Sequence, residues 1–442
     1  MAIAFEAAAT ISSSSEDAMK RIISVLCVIL TVAAFMPAQS GTSAASTILS
    51  PAQQSIAEAR RVISEKPTQY ASYNLLAMAL IRRAQETSDP TFYFQAEDAV
   101  KKALELAPNN FDTEKIQVSI LLGEHEYPAA LEAAKALNKR VPDDVMVYGL
   151  LTDANVELGN YKDAEIAAQW MLNLRPGNLP ALTRAAHLRE LFGDPEGAYE
   201  LMEMAYQSTP ATDVAERAEI LTQMGHLRLA SGSADAAEQL FHQALGYFPN
   251  YASALGNLAQ VRIRQKRYDD AVVLLQQRYQ YAEYAGNLYD LAEALQLAGR
   301  DAEASKAFAE FEAKSLEESG KRQNSNLELI FYYADHARQS AKALAVAEQE
   351  FSWRHDVYTL DAYAWALHVK GRDAEARKHI ETALAVGISD SKILAHAGEI
   401  ALNLGDRTVA QKYLQEAVSL HATGSEPAQV VLDRVSGPNP QR

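Results

Sequence analysis

The chain has 442 residues, 48% of them hydrophobic, with one cysteine and a formal net charge of −16. The apolar share is ample for a core, and the acidic balance argues against a nucleic-acid backbone or an anionic lipid surface as partner, since both are gripped by clustered Lys and Arg. Helix formers dominate and β-branched residues in period-two alternation are nearly absent, so the expectation is an all-α fold.

The first recognisable element lies between residues 19 and 45. Lys20 and Arg21 precede an apolar run, Ile22 to Phe35, which only Ser24 and Thr31 interrupt as polar residues. Pro37 and a small-residue stretch, Ala38 to Ala45, follow. Basic residues, apolar run and small-residue cleavage site are the order of a secretory signal. The run is short for a membrane span, which needs about 20 residues. Residues 1–45 are therefore read as a signal region, with cleavage between Ala38 and Ala45 and a periplasmic or secreted product; an uncleaved anchor is the rival. Residues 1–18 carry Glu6, Glu16 and Asp17 and no base, which suggests Met19 as the biological start. Cys27 lies inside the apolar run, so the mature chain would hold no cysteine, no disulfide and no thiolate site.

Beyond the signal, Ser50-Pro51 opens a helix expected to reach about Lys66, with proline at a favoured first position. Residues 50–69 are read as an N-terminal cap. A period then sets in. Pro108, Pro142, Pro176 and Pro210 stand 34 residues apart, and Pro249 follows after 39. Gly159, Gly193, Gly232, Gly299, Gly371 and Gly405 fall at turns between helices. Ala130, Ala164, Ala198, Ala237, Ala271, Ala304, Ala376 and Ala410 share one position of a second helix, where a small residue lets two helices approach. Apolar residues recur at three and four within each helix, giving one buried face.

These residues resemble the tetratricopeptide repeat family, as found in bacterial exported proteins. Its pattern is large at 4, small at 8, Gly near 15, Tyr at 17, Ala at 20, aromatic or apolar at 24 and Pro at 32. Tyr161 and Tyr268 match position 17; Phe241 and Phe308 match position 24. Units start near Tyr70, Phe111, Val145, Leu179, Ala218, Ala252, Ala285, Asn324, Val357 and Ser391, giving an array over residues 70–423. Extra residues are expected at Glu86–Phe94, Ala211–Arg217 and Glu317–Asn326, and the eighth unit is the least regular. Residues 424–442 are read as a capping helix and a disordered tail.

The resemblance implies an α-solenoid, a right-handed superhelix of about ten helix-turn-helix repeats. It also implies a concave groove lined by first-helix positions 2, 5, 9 and 12, free of packing duty. Units four and five then offer Thr183, His187, Glu190, Glu219, Thr222 and His226. Units seven to nine offer Tyr289, Glu293, Gln296, Glu328, Tyr332, Asp335, Tyr358, Asp361, Trp365 and His368, and the last unit adds Glu399. Aromatics between carboxylates point to a basic protein or peptide segment with an apolar anchor, taken mainly by units seven to nine. Asn74 and Lys115 are the corresponding residues that a carboxylate-clamp reading would use, without a basic cluster around them.

Chemistry is sparse. Gly320-Lys321 lacks the rest of a phosphate loop, His125-Glu126 has no second histidine four residues on, and no nucleophile elbow occurs. His187 and His226 share position 9 of adjacent units and with Glu190 could approach a metal ion, but groove polarity is the preferred reading. His336, His355, His379 and His396 show no shared pattern. No cofactor, metal or catalytic residue is expected. The function expected is a non-catalytic protein-interaction scaffold in the periplasm or outside the cell. The alternatives are an accessory subunit of an envelope, polysaccharide or pilus secretion assembly, and an envelope enzyme. The enzyme would need a non-repeat block of about 100 residues, and the longest non-repeat stretches are around ten.

Overall fold

A computed structural model describes residues 49–322, 324, 326–420 and 427–436. The signal region, Cys27, the alternative start at Met19 and the C-terminal tail lie outside the described residues. Among the described residues there are 22 α-helices, one π-helical segment and no strand.

Helix α1 (Pro51–Glu65) precedes ten helix pairs. They are α2 (Tyr70–Thr87) with α3 (Thr91–Leu106), α4 (Phe111–Gly123) with α5 (Tyr127–Arg140), and α6 (Val145–Glu157) with α7 (Tyr161–Leu174). Then come α8 (Leu179–Leu191) with α9 (Pro195–Ser208), α10 (Val214–Ala230) with α11 (Ala234–Tyr247), and α12 (Ala252–Arg264) with α13 (Tyr268–Tyr281). The array continues with α14 (Ala285–Leu297) and α15 (Asp301–Glu318), α16 (Asn326–Phe331) and α17 (Ser340–Phe351), α18 (Val357–Val369) and α19 (Asp373–Leu384), and α20 (Ser391–Asn403) and α21 (Arg407–Leu420). Helix α22 (Pro427–Ser436) follows. Eight first helices begin on the residue that periodicity gives. Helix α10 begins four residues early because Ala211–Arg217 is not all insertion: Asp213 caps it, accepting from the Glu216 N–H.

Local chemistry fixes the pairs. Asn110, Asp144, Asn178, Asp356 and Asp390 each accept an N–H from the first turn of a first helix; such a cap stabilises by about 1 kcal/mol. The eight repeat alanines are 0–3% exposed, as close helix contact requires. A Cβ on Gly225 would collide with the Phe241 ring, and one on Gly398 would meet Leu414 Cγ at 2.6 Å. Positions 8 and 24 of a unit thus interlock, and adjacent units continue one apolar core. The eighth unit departs from this pattern. Helix α16 passes into a π-helical segment, Tyr332–His336, and Arg338, at φ 53°, turns the chain where six other units use glycine.

The described array coils tightly enough for successive superhelical turns to touch. Each of the first four units rests, at or beside its inner turn, on the end of a later unit or the loop that follows it. Arg83 donates to the Tyr281 hydroxyl at 3.2 Å across 198 positions. His125 Nδ1 donates to the Arg322 carbonyl at 2.7 Å across 197. The Val357 N–H reaches the Tyr161 hydroxyl at 2.9 Å across 196. Gly193 faces the Gly387 carbonyl so closely that no Cβ fits. Arg354 locks this seam: it donates to the Tyr127 hydroxyl at 2.9 Å and to Glu350, which is 2% exposed, at 3.2 Å.

Candidate functional site

The residues singled out in units seven to nine are largely committed to one another. The Tyr289 hydroxyl donates to Glu293 at 2.8 Å, and His336 approaches the same carboxylate at 3.4 Å. Trp365 Nε1 donates to Asp335 at 2.8 Å, and its ring lies between His368 and His396, with centroids 4.8 and 4.1 Å away. His396 pairs with Asp361 at 2.8 Å, and His368 with Asp373 at 2.5 Å. Thr222, Tyr289, Asp361 and Trp365 are buried. The expectation that these positions are free of packing duty is therefore corrected at these four. Thr222 merely returns its hydroxyl to the Ala218 carbonyl at 2.7 Å. His336 and His396, without pattern in the sequence, complete the two clusters. Of the rest, Tyr332 is half-buried, its hydroxyl 3.4 Å from Glu312. Gln296 is exposed, and Glu328 and Glu399 are half-buried. Lys115 is spent on Asp144, at 2.9 Å, and Asp112, at 3.0 Å, while Asn74 is buried against Thr113.

Open space lies instead in units four to six. Three cavities of about 270, 260 and 230 Å³ share walls there. The first lies between His226, Glu190 and the later segment carrying Tyr358, Asp390 and Lys392. The second lies between α8 and α10, under Thr183, His187, Glu190, Glu216, Glu219 and Gln223. The third reaches across the coil from Glu216 and Glu219 to Arg82 of α2.

Charge in these cavities falls into two states. Glu190 accepts from His226 at 2.9 Å and lies 3.8 Å from His187. Burial opposes its charge, yet the two imidazoles hold its carboxyl down at about 2. His226 is held above its ordinary value: burial works against its charge and Glu190 more than offsets that. Glu219 is the opposite case. Its side chain is exposed to the cavity but walled in, and this desolvation, with Glu216 beside it, pushes the carboxyl up to about 7 against the pull of Arg82 and Arg184. Burial raises Glu216 as well. Arg184 is already engaged by Asp153, at 2.7 and 2.6 Å. Neither Glu216 nor Glu219 has a cation within 4.0 Å among the described residues. Glu216 was missed in the sequence because it lies in residues read as an insertion. With Asp213 read as a cap, it stands one helical turn before Glu219 on the same face.

What this arrangement can do is attract and hold a cation-bearing segment. No group of three or more His, Cys, Asp or Glu side chains is arranged to hold a metal ion among the described residues. No described helix is long and apolar enough to cross a membrane.

Residues 228–280 match the family model for the tetratricopeptide repeat, and the two-helix unit within that stretch recurs through the array. Residues 228–280 thus carry a tetratricopeptide repeat, and the described array is an α-solenoid of such two-helix units. Over 148 residues it is 32% identical to cellulose synthase operon protein C of Xanthomonas axonopodis pv. citri (strain 306), a stretch covering 29% of this chain and 10% of that protein. The chain thus spans a small fraction of the length of the curated relative it matches. Among solved structures, a human IFIT1 dimer with PPP-AAAA aligns at TM-score 0.47 and 14% identity, covering 85% of this chain and 96% of that one. PilW, a type IV pilus biogenesis factor, aligns at TM-score 0.41 and 15% identity, covering 47% of this chain and 94% of PilW.

Proposed function

We propose that the protein is a non-catalytic scaffold of the cell envelope or exterior that holds a basic segment of another protein inside its coil, at units four to six. The observation that carries this reading is the Glu216–Glu219 pair, two carboxylates facing contiguous cavities without a contacting cation. A Lys or Arg side chain entering there relieves their mutual repulsion and takes up the charge that desolvation now suppresses. Glu293 and Asp361, already paired with His336 and His396 within units seven to nine, offer a cation less. The Lys20–Ala45 signal pattern supports an exported location. The identity with a protein named for a cellulose synthase operon favours, within this reading, an accessory role in a polysaccharide-secretion assembly.

A photo-crosslinking residue at Gln223, which faces the cavity between α8 and α10, tests this in the cell of origin. A protein adduct from Gln223 and none from Trp170, an exposed residue on second helix α7, is expected. Adducts from Trp170 alone would move the binding surface off the cavity.

A further inference from the structure

A separate cavity of about 250 Å³ sits in the seam between superhelical turns. Its walls come from units one and two on one side and unit seven on the other: Gln85, Tyr93 and His125, then Tyr284, Glu318 and Asn324. We infer that this cavity binds a primary alkylammonium group. The inference does not rest on the scaffold reading: of these residues only Gln85 also lines a cavity of units four to six, and Glu318 lines none of them.

The walls carry one acid and no Lys or Arg. Glu318 Oε2 is buried and has no hydrogen-bond partner among the described residues. A buried acceptor left in that state is costly, and an ammonium, with three N–H donors, is the group that satisfies it. Burial holds the Glu318 carboxyl above its ordinary value, against the pull of Lys321 and Lys314.

The other polar walls are neutral. Burial, with Arg354 nearby, holds His125 down at about 4, so its ring is uncharged at neutral pH. Its Nδ1 proton is committed to the Arg322 carbonyl, which leaves Nε2 as an acceptor. Burial, with Glu124 nearby, pushes the Tyr93 hydroxyl up to about 12, so it stays protonated. The Tyr284 hydroxyl donates to the Asn324 carbonyl at 3.0 Å, which fixes that ring.

Aromatic faces beside a carboxylate suit a cation doubly, since the ring quadrupole adds to the ion pair. The Tyr93 ring lies directly against Gly123, where any Cβ would strike it. Glycine at that point of α4 therefore makes the aromatic wall possible. The volume is several times the roughly 30 Å³ of a water molecule, enough for an alkyl chain behind the ammonium. An anion would face the Glu318 carboxylate, and a neutral alcohol would meet its oxygen with a single donor and no ion pair. A lysine side chain and a free alkylamine present the same chemistry.

Titration of the intact chain with n-butylammonium, followed by saturation-transfer NMR or calorimetry, tests the assignment. A ligand of five heavy atoms is expected to bind with Kd on the order of 1 mM or weaker. 1-Butanol, its neutral counterpart, is expected to bind at least tenfold more weakly. Glu318→Gln keeps the shape and removes the charge, and a tenfold loss is expected at unchanged thermal midpoint. Should that variant fold poorly, Tyr93→Leu removes a π face and is expected to weaken binding several-fold. A short lysine peptide binding more tightly than butylammonium assigns the site to protein-borne lysine, and the reverse order to a free amine. The inference is overturned if butanol binds as well as butylammonium, if folded Glu318→Gln binds it unchanged, or if no saturable binding appears by roughly 100 mM.

Discussion

The backbone N–H of Val357 donates to the hydroxyl of Tyr161 at 2.9 Å, joining the third unit to the ninth. Tyr161 stands at repeat position 17, and so does Tyr268, whose hydroxyl has no hydrogen bond among the described residues. Tyr161→Phe leaves a buried N–H without its acceptor, at a cost of about 1–2 kcal/mol. Faster hydrogen exchange at Val357 and a lowered thermal midpoint are expected. Tyr268→Phe is expected to change stability by less than about 0.5 kcal/mol. Equal effects of the two would remove the seam from the account.

Gly159 and Gly371 are both turn glycines with positive φ, 72° and 79°. Only Gly159 meets another superhelical turn: a Cβ there would lie 2.7 Å from the His355 carbonyl oxygen, while one on Gly371 meets nothing within 4 Å. Gly371→Ala therefore carries the conformational cost alone, about 1 kcal/mol. Gly159→Ala adds overpacking of about 1–3 kcal/mol. Thermal denaturation of the two variants side by side is expected to show the larger loss at Gly159.

Asp361 is 3% exposed and paired with His396. Truncation to Ala strands the imidazole inside the core, at a cost of about 3 kcal/mol. Charge reversal at Asp361 thus tests stability rather than binding, and circular dichroism of Asp361→Lys is expected to show a partly unfolded chain. Glu219→Gln, by contrast, is expected to leave the fold intact.

Groups of opposite sign set the pH dependence: His125, held at about 4, contributes stability present above 6.5 that is lost as pH falls, and it partly offsets the raised groups between about pH 6 and about pH 8.5. Glu219 and Glu328 are both raised by burial to about 7 from the usual 4.5, so they hold more protons folded than unfolded. Their contribution is fully present below 4.5 and is lost as pH rises through 7. His226, raised above 6.5, contributes stability present below 6.5 that is lost as pH rises through its folded value. Glu190, held at about 2, contributes stability above 4.5 that is lost as pH falls toward 2. Thermal midpoints are expected to be higher at about pH 6 than at about pH 8.5, and Glu219→Gln is expected to shrink that difference. A midpoint that rises between those two pH values would contradict the assignment.

The repeat itself was legible because each unit buries the same positions. Ala130 through Ala410 recur at one helix position, and eight of ten unit starts could be placed to the residue. Unit five was misplaced because Asp213, a helix cap, resembled loop sequence. The coil was not legible. Tyr161 and Tyr268 look identical within their units, and only a partner 196 positions away separates them. The same limit explains the site. Repeat positions nominated Asp335, Asp361 and Trp365 as a surface, and the stacking of units eight to ten turns Trp365 onto Asp335 and Asp361 onto His396, contacts 30 and 35 positions apart. Arg82 reaches the cavity of Glu219 only because units one and five face each other across the interior.

The interior of units four to six is proposed to hold a basic segment. Calorimetric titration of the chain with a lysine- and arginine-rich peptide, beside the doubly substituted Glu216→Gln, Glu219→Gln chain, tests it most directly. At about 0.15 M ionic strength, saturable binding is expected, weakening at least tenfold in the double variant. Equal affinity in the two proteins, both folded, would contradict it.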